Sequence, residues 1–194
     1  MHGLCFPWER GPAMDYFEKR LDGETKYEGV IVNVRLDRAE LHNGRIVKRE
    51  VVEHPGGVTV LPVDSEGNCY MVRQFRYPFG KMILEAPAGK LEKGEDPLLS
   101  AARELSEETG FTADELVSMG TMYTSPGISS EVLHLYLGLG LHAGASHPDE
   151  GEFLNVEKYS LQELSEMVMR NEIDDAKTGL IILKAEKYLK DHKM

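Results

Sequence analysis

Three patterns in the sequence predict a mixed α+β fold preceded by a small antiparallel β-sheet. From Lys26 to Val52 the chain alternates, with Val30, Val32 and Val34 on one side and a hairpin turn at Asn43-Gly44. Two compact apolar runs follow, Val58–Val63 and Cys69–Phe75, around the turn sequence Asp64-Ser65-Glu66-Gly67-Asn68. Helical signals dominate only later, at Asp96–Thr109, from Ser160 onward, and from Asp174 or Asp175 to the end. Strands gather first and in the middle and helices after them, which excludes a regular βαβ alternation.

In chain order, residues 1–22 have no clear period and include Gly11-Pro12, so a loosely held tail is expected there. Residues 23–54 form the small sheet, with strands at Val30–Leu36 and Ile46–Val52, and residues 55–194 the main domain. A sheet of two strands is too small to be stable alone and needs a surface to pack on. The helix over Asp96–Thr109 has Asp96 as N-cap, Pro97 at the first helical position and Gly110 as its stop. Ser160-Leu161-Gln162-Glu163 is a capping box opening the next helix, with Leu164, Met167 and Val168 on one face.

Composition excludes several function classes. Of the 194 residues 41% are hydrophobic, enough for a real core. The formal charge of −11, from 33 acidic and 22 basic residues, argues against a nucleic-acid or anionic-membrane surface. Cys5 and Cys69 offer neither a disulfide framework nor zinc spacing. Met1–Arg10 lacks the apolar core of a signal peptide, and the most apolar run, Val132–Leu141, is a strand's length rather than a bilayer span. A cytoplasmic protein is the expectation.

The chemistry is concentrated on the helix Asp96–Thr109. At about 100° per residue, Leu98, Ala101, Ala102 and Leu105 share one arc and are expected to face the core. Glu104, Glu107 and Glu108 share a second arc, where like charges at i, i+3 and i+4 repel. A solvated acidic face would read the same in isolation. A hard cation such as Mg²⁺ turns that repulsion into binding, because it takes oxygen ligands.

The flanks add the rest of a pattern. Gly89, Glu95, Arg103-Glu104, Leu105, Glu107-Glu108, Gly110 and Phe111 match the Nudix signature at every fixed position across 23 residues. The chain therefore resembles the Nudix hydrolases, which implies an α/β/α sandwich with a mixed sheet and a metal site of loop, helix and loop. By that resemblance Glu104 and Glu108 are metal ligands, with the carbonyl of Ala88 a further one. Glu107 is a ligand or a support to the ligands, and is counted with Glu150 among the catalytic residues. Mg²⁺ is the implied cofactor and Mn²⁺ a possible substitute. Arg103 and Glu95 look like orienting partners.

Pro126 stands sixteen residues after Gly110, within Ser125-Pro126-Gly127, and resembles the ADP-ribose pyrophosphatase subfamily. The segments Arg73–Tyr77, Leu84–Gly89 and Lys48–Gly56 do so too. What this implies is hydrolysis of the pyrophosphate bond of ADP-ribose to AMP and ribose 5-phosphate by metal-activated water. The substrate-binding residues are then Arg49, Arg76, Glu85, Pro126 and Gly127. Guanidinium forks suit a diphosphate, and Glu85 faces ribose hydroxyls or a metal, or pins the loop. In the acidic segment His147–Phe153 the resemblance makes Glu150 the general base and Glu152 a late metal ligand, an assignment that is open to exchange. Gly151 departs from the family, which usually has an acidic residue or Asn there. The subfamily typically forms homodimers through its N-terminal sheets. Two other readings stay open: a hydrolase of another nucleoside diphosphate sugar or dinucleotide, and a non-catalytic ADP-ribose sensor. Intact Glu104, Glu107 and Glu108 speak against the sensor.

Overall fold

The computed structural model describes residues 16–147 and 153–192. Its first strands, β1 (Glu18–Glu28), β2 (Asn33–Leu41) and β3 (Ile46–Glu53), form a separate antiparallel sheet in the order β1-β2-β3. The Asn43-Gly44 turn joins β2 to β3, with Gly44 N donating to Leu41 O at 2.8 Å and Arg45 N to the Asn43 side chain at 3.1 Å. Two boundaries differ from expectation. The tail expected through Asp22 becomes β1 at Glu18, while residues 1–15 lie outside the described part. An apolar-period reading misses β1 because all eleven of its residues are exposed and most are charged. Its side chains are tied to β2 by ion pairs, Arg38 to Asp22 at 2.8 Å and Arg20 to the buried Asp37 at 3.0 Å. The strand expected from Val30 starts at Asn33; Val30 and Ile31 sit exposed in the bend before it.

The main domain is built around β4 (Gly57–Pro62), every residue of which is buried. It pairs in parallel with β9 (Val132–Ala143) and antiparallel with β7 (Ala88–Lys90), and β8 (Phe111–Tyr123) completes a mixed sheet of order β7-β4-β9-β8. A third, antiparallel sheet has the order β10-β5-β6, from β5 (Asn68–Arg76), β6 (Lys81–Glu85) and β10 (Leu154–Ser160). The pleat of β4 sends alternate residues to opposite faces. Val58 and Val60 meet Ala101 and Leu105 of α1 (Pro97–Thr109), whereas Leu61 joins Leu135, Leu137, Ile181 and Ile182. The second cluster lies under α2 (Leu161–Met169) and α3 (Ala176–His192), giving the α/β/α sandwich. Each large aliphatic side chain fully buried there contributes roughly 1.5–3 kcal/mol.

Helix ends follow the sequence. Asp96 accepts from Leu98 N at 2.8 Å, Ser160 accepts from Glu163 N at 3.1 Å, and Asp175 accepts from Thr178 N at 3.1 Å. Gly110 ends α1 at φ 75°, with Ser146 and Gly144 backbone so close that a Cβ would collide. The orientation of α1 is where expectation fails. Leu98 is 44% exposed and Ala102 is exposed, while Ser100, Ala101, Glu104, Leu105 and Glu108 are buried. The helix is rolled so that two carboxylates share its inner face with the apolar stripe. Leu98 lies in the first turn and is left in solvent.

Replacing Asp96 with Ala removes the α1 cap and is expected to cost about 1 kcal/mol. Thermal unfolding should register this as a drop of roughly 2–4 °C, with turnover of the folded protein unchanged.

Candidate active site

The inner face of α1 rests on the loop between β6 and β7. Pro87 is fixed by β4, whose Val60 N and Thr59 hydroxyl both donate to the Pro87 carbonyl, at 2.8 and 3.0 Å. Ala88 N then donates to Glu108 Oε2 at 3.0 Å. The next residue, Gly89, lies directly beneath the Glu104 carboxyl group, where any Cβ would collide. Glu104 and Glu108 are thus 9% and 3% exposed, one helical turn apart against backbone.

Arg103 balances this acidity. It donates to Glu104 at 2.7 Å, Glu107 at 2.8 Å, Ser100 at 3.2 Å, and Glu95 through Nε and Nη2 at 3.1 and 3.2 Å. The Arg103 hydrogen bonds, with the Glu92 backbone amide, bring Glu95 from 4.5 down to about 2. Among the described residues no three His, Cys, Asp or Glu side chains form a ready-made cation cage. The donor chemistry still fits a hard divalent ion: two buried carboxylates beside the Ala88 backbone, all oxygen. Cys69 is no nucleophile, since burial pushes its thiol up to about 12.

Beside this pair opens a cleft of about 430 Å³, lined among others by Ala88, Gly89, Arg76, Lys177, His54 and Glu131. That volume suits a small-molecule ligand. Glu85, 2% exposed, takes Arg76 side-on through Nε and Nη2 at 2.6 and 2.8 Å and takes Lys177 on Oε2. Burial opposes ionisation of Glu85, but the two cations outweigh it and hold its pKa below the ordinary glutamate value.

A NUDIX domain profile matches residues 53–179. The chain belongs to the NUDIX family. It is 43% identical over 167 residues to an ADP-ribose pyrophosphatase of Bacillus subtilis (strain 168), covering 85% of this chain and 90% of the relative. It is 41% identical over 167 residues, with the same coverage, to a protein of Bacillus methanolicus named methanol dehydrogenase activator. A crystal structure of an ADP compounds hydrolase superposes with a TM-score of 0.80 at 20% identity, over 90% of this chain and 95% of that one, and so shares the fold.

The NUDIX helix and loop thus bring Ala88, Glu104, Glu107 and Glu108 together, and Arg76 and Glu85 border them. Arg76, a substrate-binding candidate from the sequence, is braced by Glu85, which leans on Lys177. Arg49 is not in the cleft of its own chain: it is exposed on β3 and paired with Glu18 at 2.7 and 2.8 Å. Pro126 and Gly127 sit in an exposed turn and do not line the cleft, whereas Thr124 and Glu131 from the same loop do. That loop is tied to the end of β3, Val52 N donating to Ile128 O at 2.7 Å and Ser130 N to Val52 O at 3.0 Å. Glu150 and Glu152 lie outside the described residues. Lys177, His54 and Glu131 went unnoticed in the sequence. Asp175-Ala176-Lys177-Thr178 carries only a helix-cap signal there, and the other two need the parallel β4–β9 pairing to meet.

A Gly89→Ala substitution should force Glu104 off the loop and reduce turnover by at least about tenfold, with near-wild-type circular dichroism. Undiminished activity at unchanged metal concentration would show that Glu104 can be displaced harmlessly. Glu95 makes an acid-range prediction. Its pKa is depressed in the fold, so its stabilising effect is complete above the unfolded value near 4.5 and is lost as pH falls toward about 2. Stability of Glu95→Gln should therefore change less than that of the wild type across that window, as chemical denaturation at each pH will show.

Proposed function

We propose that the protein is a divalent-metal-dependent hydrolase of ADP-ribose, releasing AMP and ribose 5-phosphate. The observation that carries this reading is that Ala88 and Gly89, the backbone on which the buried Glu108 and Glu104 rest, line a cleft whose border also holds Arg76 and Lys177. The sequence kinship with an ADP-ribose pyrophosphatase supports the choice of substrate. The residues that would hold the ion are Glu104, Glu108 and the carbonyl of Ala88, with Glu152 a further ligand by resemblance and Mg²⁺ the natural occupant of such oxygen donors. When bound, it supplies positive charge for the phosphate oxygens and makes a bound water easier to deprotonate.

The chain's own groups divide the remaining tasks. Arg103 holds Glu104 and Glu107 in fixed rotamers and keeps their mutual repulsion in check. Arg76 offers the guanidinium edge that Glu85 does not use to the diphosphate oxygens. Glu150, in the acidic sequence His147–Phe153, is the base that would accept the proton of the attacking water. Arg49 has no access to the cleft of its own chain, so its part in binding requires the N-terminal sheet to pack on a second copy as a homodimer. Such packing would also cover β1, whose residues are all exposed. No helix among the described residues is long and apolar enough to cross a membrane, and a cytoplasmic site of action is consistent with a chain whose cysteines are Cys5 and the buried Cys69.

The deciding experiment is a substrate panel with Mg²⁺, resolved by product identity and repeated after chelation. ADP-ribose should give AMP and ribose 5-phosphate, activity should vanish with EDTA, and Glu104→Gln or Glu108→Gln should lower kcat by orders of magnitude. If UDP-glucose or GDP-mannose shows a kcat/KM about tenfold higher, a difference of about 1.4 kcal/mol, the enzyme belongs to that substrate instead. Near-normal turnover by either glutamine variant removes the metal assignment.

A further inference from the structure

A buried ionic chain joins the start of α3 to the end of β6, and the carboxylate pair does not explain it. The Lys177 side chain is 13% exposed, and its Nζ donates to Glu85 Oε2 and, at 2.9 Å, to Asp175 Oδ2. Asp175 is held in turn: the same oxygen accepts Thr178 N at 3.1 Å and Thr178 Oγ1 at 2.5 Å. Thr178 Oγ1 accepts Ala86 N at 2.9 Å, which ties the helix to the strand just before the Pro87–Gly89 loop. Arg76 grips the same carboxylate side-on, Nε on Oε1 and Nη2 on the Oε2 that Lys177 also takes. The Nη1–Nη2 end of that guanidinium is the edge that forks two phosphate oxygens, and Glu85 leaves it unused.

Two cations on one buried carboxylate is an arrangement with a purpose beyond neutralisation. With Arg76 alone, the Glu85 carboxylate would rotate about its last torsion and carry the guanidinium with it. Lys177, pinned by Asp175, adds an anchor on Oε2 from outside the Arg76 fork and so fixes the plane of the carboxylate. Arg76 and Lys177 both line the cleft, so the direction fixed in this way is felt where a ligand binds. Precision at a binding group comes from such locked supports.

We propose that Lys177 is a positioning residue, which by sharing Glu85 with Arg76 aims the outer edge of the Arg76 guanidinium at the diphosphate of the substrate. The inference rests on reading the cleft as a nucleoside diphosphate sugar site. It differs from a plain anchoring role for Lys177, which would stabilise the seat of α3 and do nothing specific to Arg76.

The test is a double-mutant cycle with Lys177→Gln and Arg76→Ala in the full chain, read by the steady-state kinetics of ADP-ribose hydrolysis with Mg²⁺. Lys177→Gln should raise KM about tenfold while kcat stays within about twofold. In the Arg76→Ala background the same substitution should change KM by less than about twofold, because its target is gone. Equal factors in both backgrounds, or an unchanged KM in the single variant, overturn the proposal. A lowered melting temperature alone would reflect anchoring and is not counted. If Lys177→Gln does not fold, Asp175→Asn takes its place, since Asn keeps the capping acceptor and loses only the charge that pins Lys177. Coupling to Arg76 there supports the proposal and additivity overturns it. If the wild type does not hydrolyse ADP-ribose, the substrate reading has failed on its own. Calorimetric binding of ADP then replaces KM in the same cycle, and coupling or additivity in Kd decides the role of Lys177.

Discussion

Glu104 lies so close to the Cα of Gly89 that no side chain fits between them, and Glu108 holds the amide of Ala88 one turn further along the helix. These two contacts, with Ala101 and Leu105 packed on Val58 and Val60, place the inner face of α1 on the β6–β7 connection. The roll explains why Leu98 and Ala102 are left in solvent: the helix cannot bury its apolar arc fully and keep both glutamates on the loop. It also explains Arg103, whose five hydrogen bonds make such crowding of acids tolerable. The loop in turn is fixed by β4 through Pro87, so the geometry passes from the centre of the sheet to the site without a flexible joint.

On the proposed reading a chain of net charge −11 receives an anionic substrate, and the ion pairs around the cleft bear on how it does so. The acids near the carboxylate pair are matched to Arg103, and those at the other border of the cleft to Arg76 and Lys177. Glu85 and Asp175 do not cancel those cations so much as hold them still. Acids still outnumber bases around the site, Glu85, Glu95, Glu104, Glu107, Glu108 and Asp175 against Arg76, Arg103 and Lys177, which is the balance that a bound cation would offset.

Much of this was legible in the sequence. The caps at Asp96 and Ser160, the stop at Gly110, the hairpin at Asn43-Gly44 and the two apolar strands depend on neighbours in the chain, and each was found where its residues predict. What escaped depends on contacts between distant segments. β1 carries no apolar period and shows itself only as a partner of β2. Glu131 and His54, their Oε1 and Nδ1 3.3 Å apart, are brought together by a parallel pairing that no local signal reveals. Lys177 looked like one lysine among many, since its meaning comes from Glu85, 92 residues away. The helical wheel of α1 placed Ala101 and Leu105 in the core correctly but also Leu98 and Ala102, which are exposed because Glu104 and Glu108 share the inner face.

β4 and β1 lie at opposite ends of the protein's local stability. In β4 every residue is buried and its backbone is bonded on both sides, so its amides open to solvent only when the whole domain does. β1 is an edge strand with no buried residue, and it can peel from β2 at little cost. The loop that seats the glutamates hangs from β4 rather than from the small sheet. Fraying at the N-terminal edge therefore leaves the acidic centre of the main domain intact.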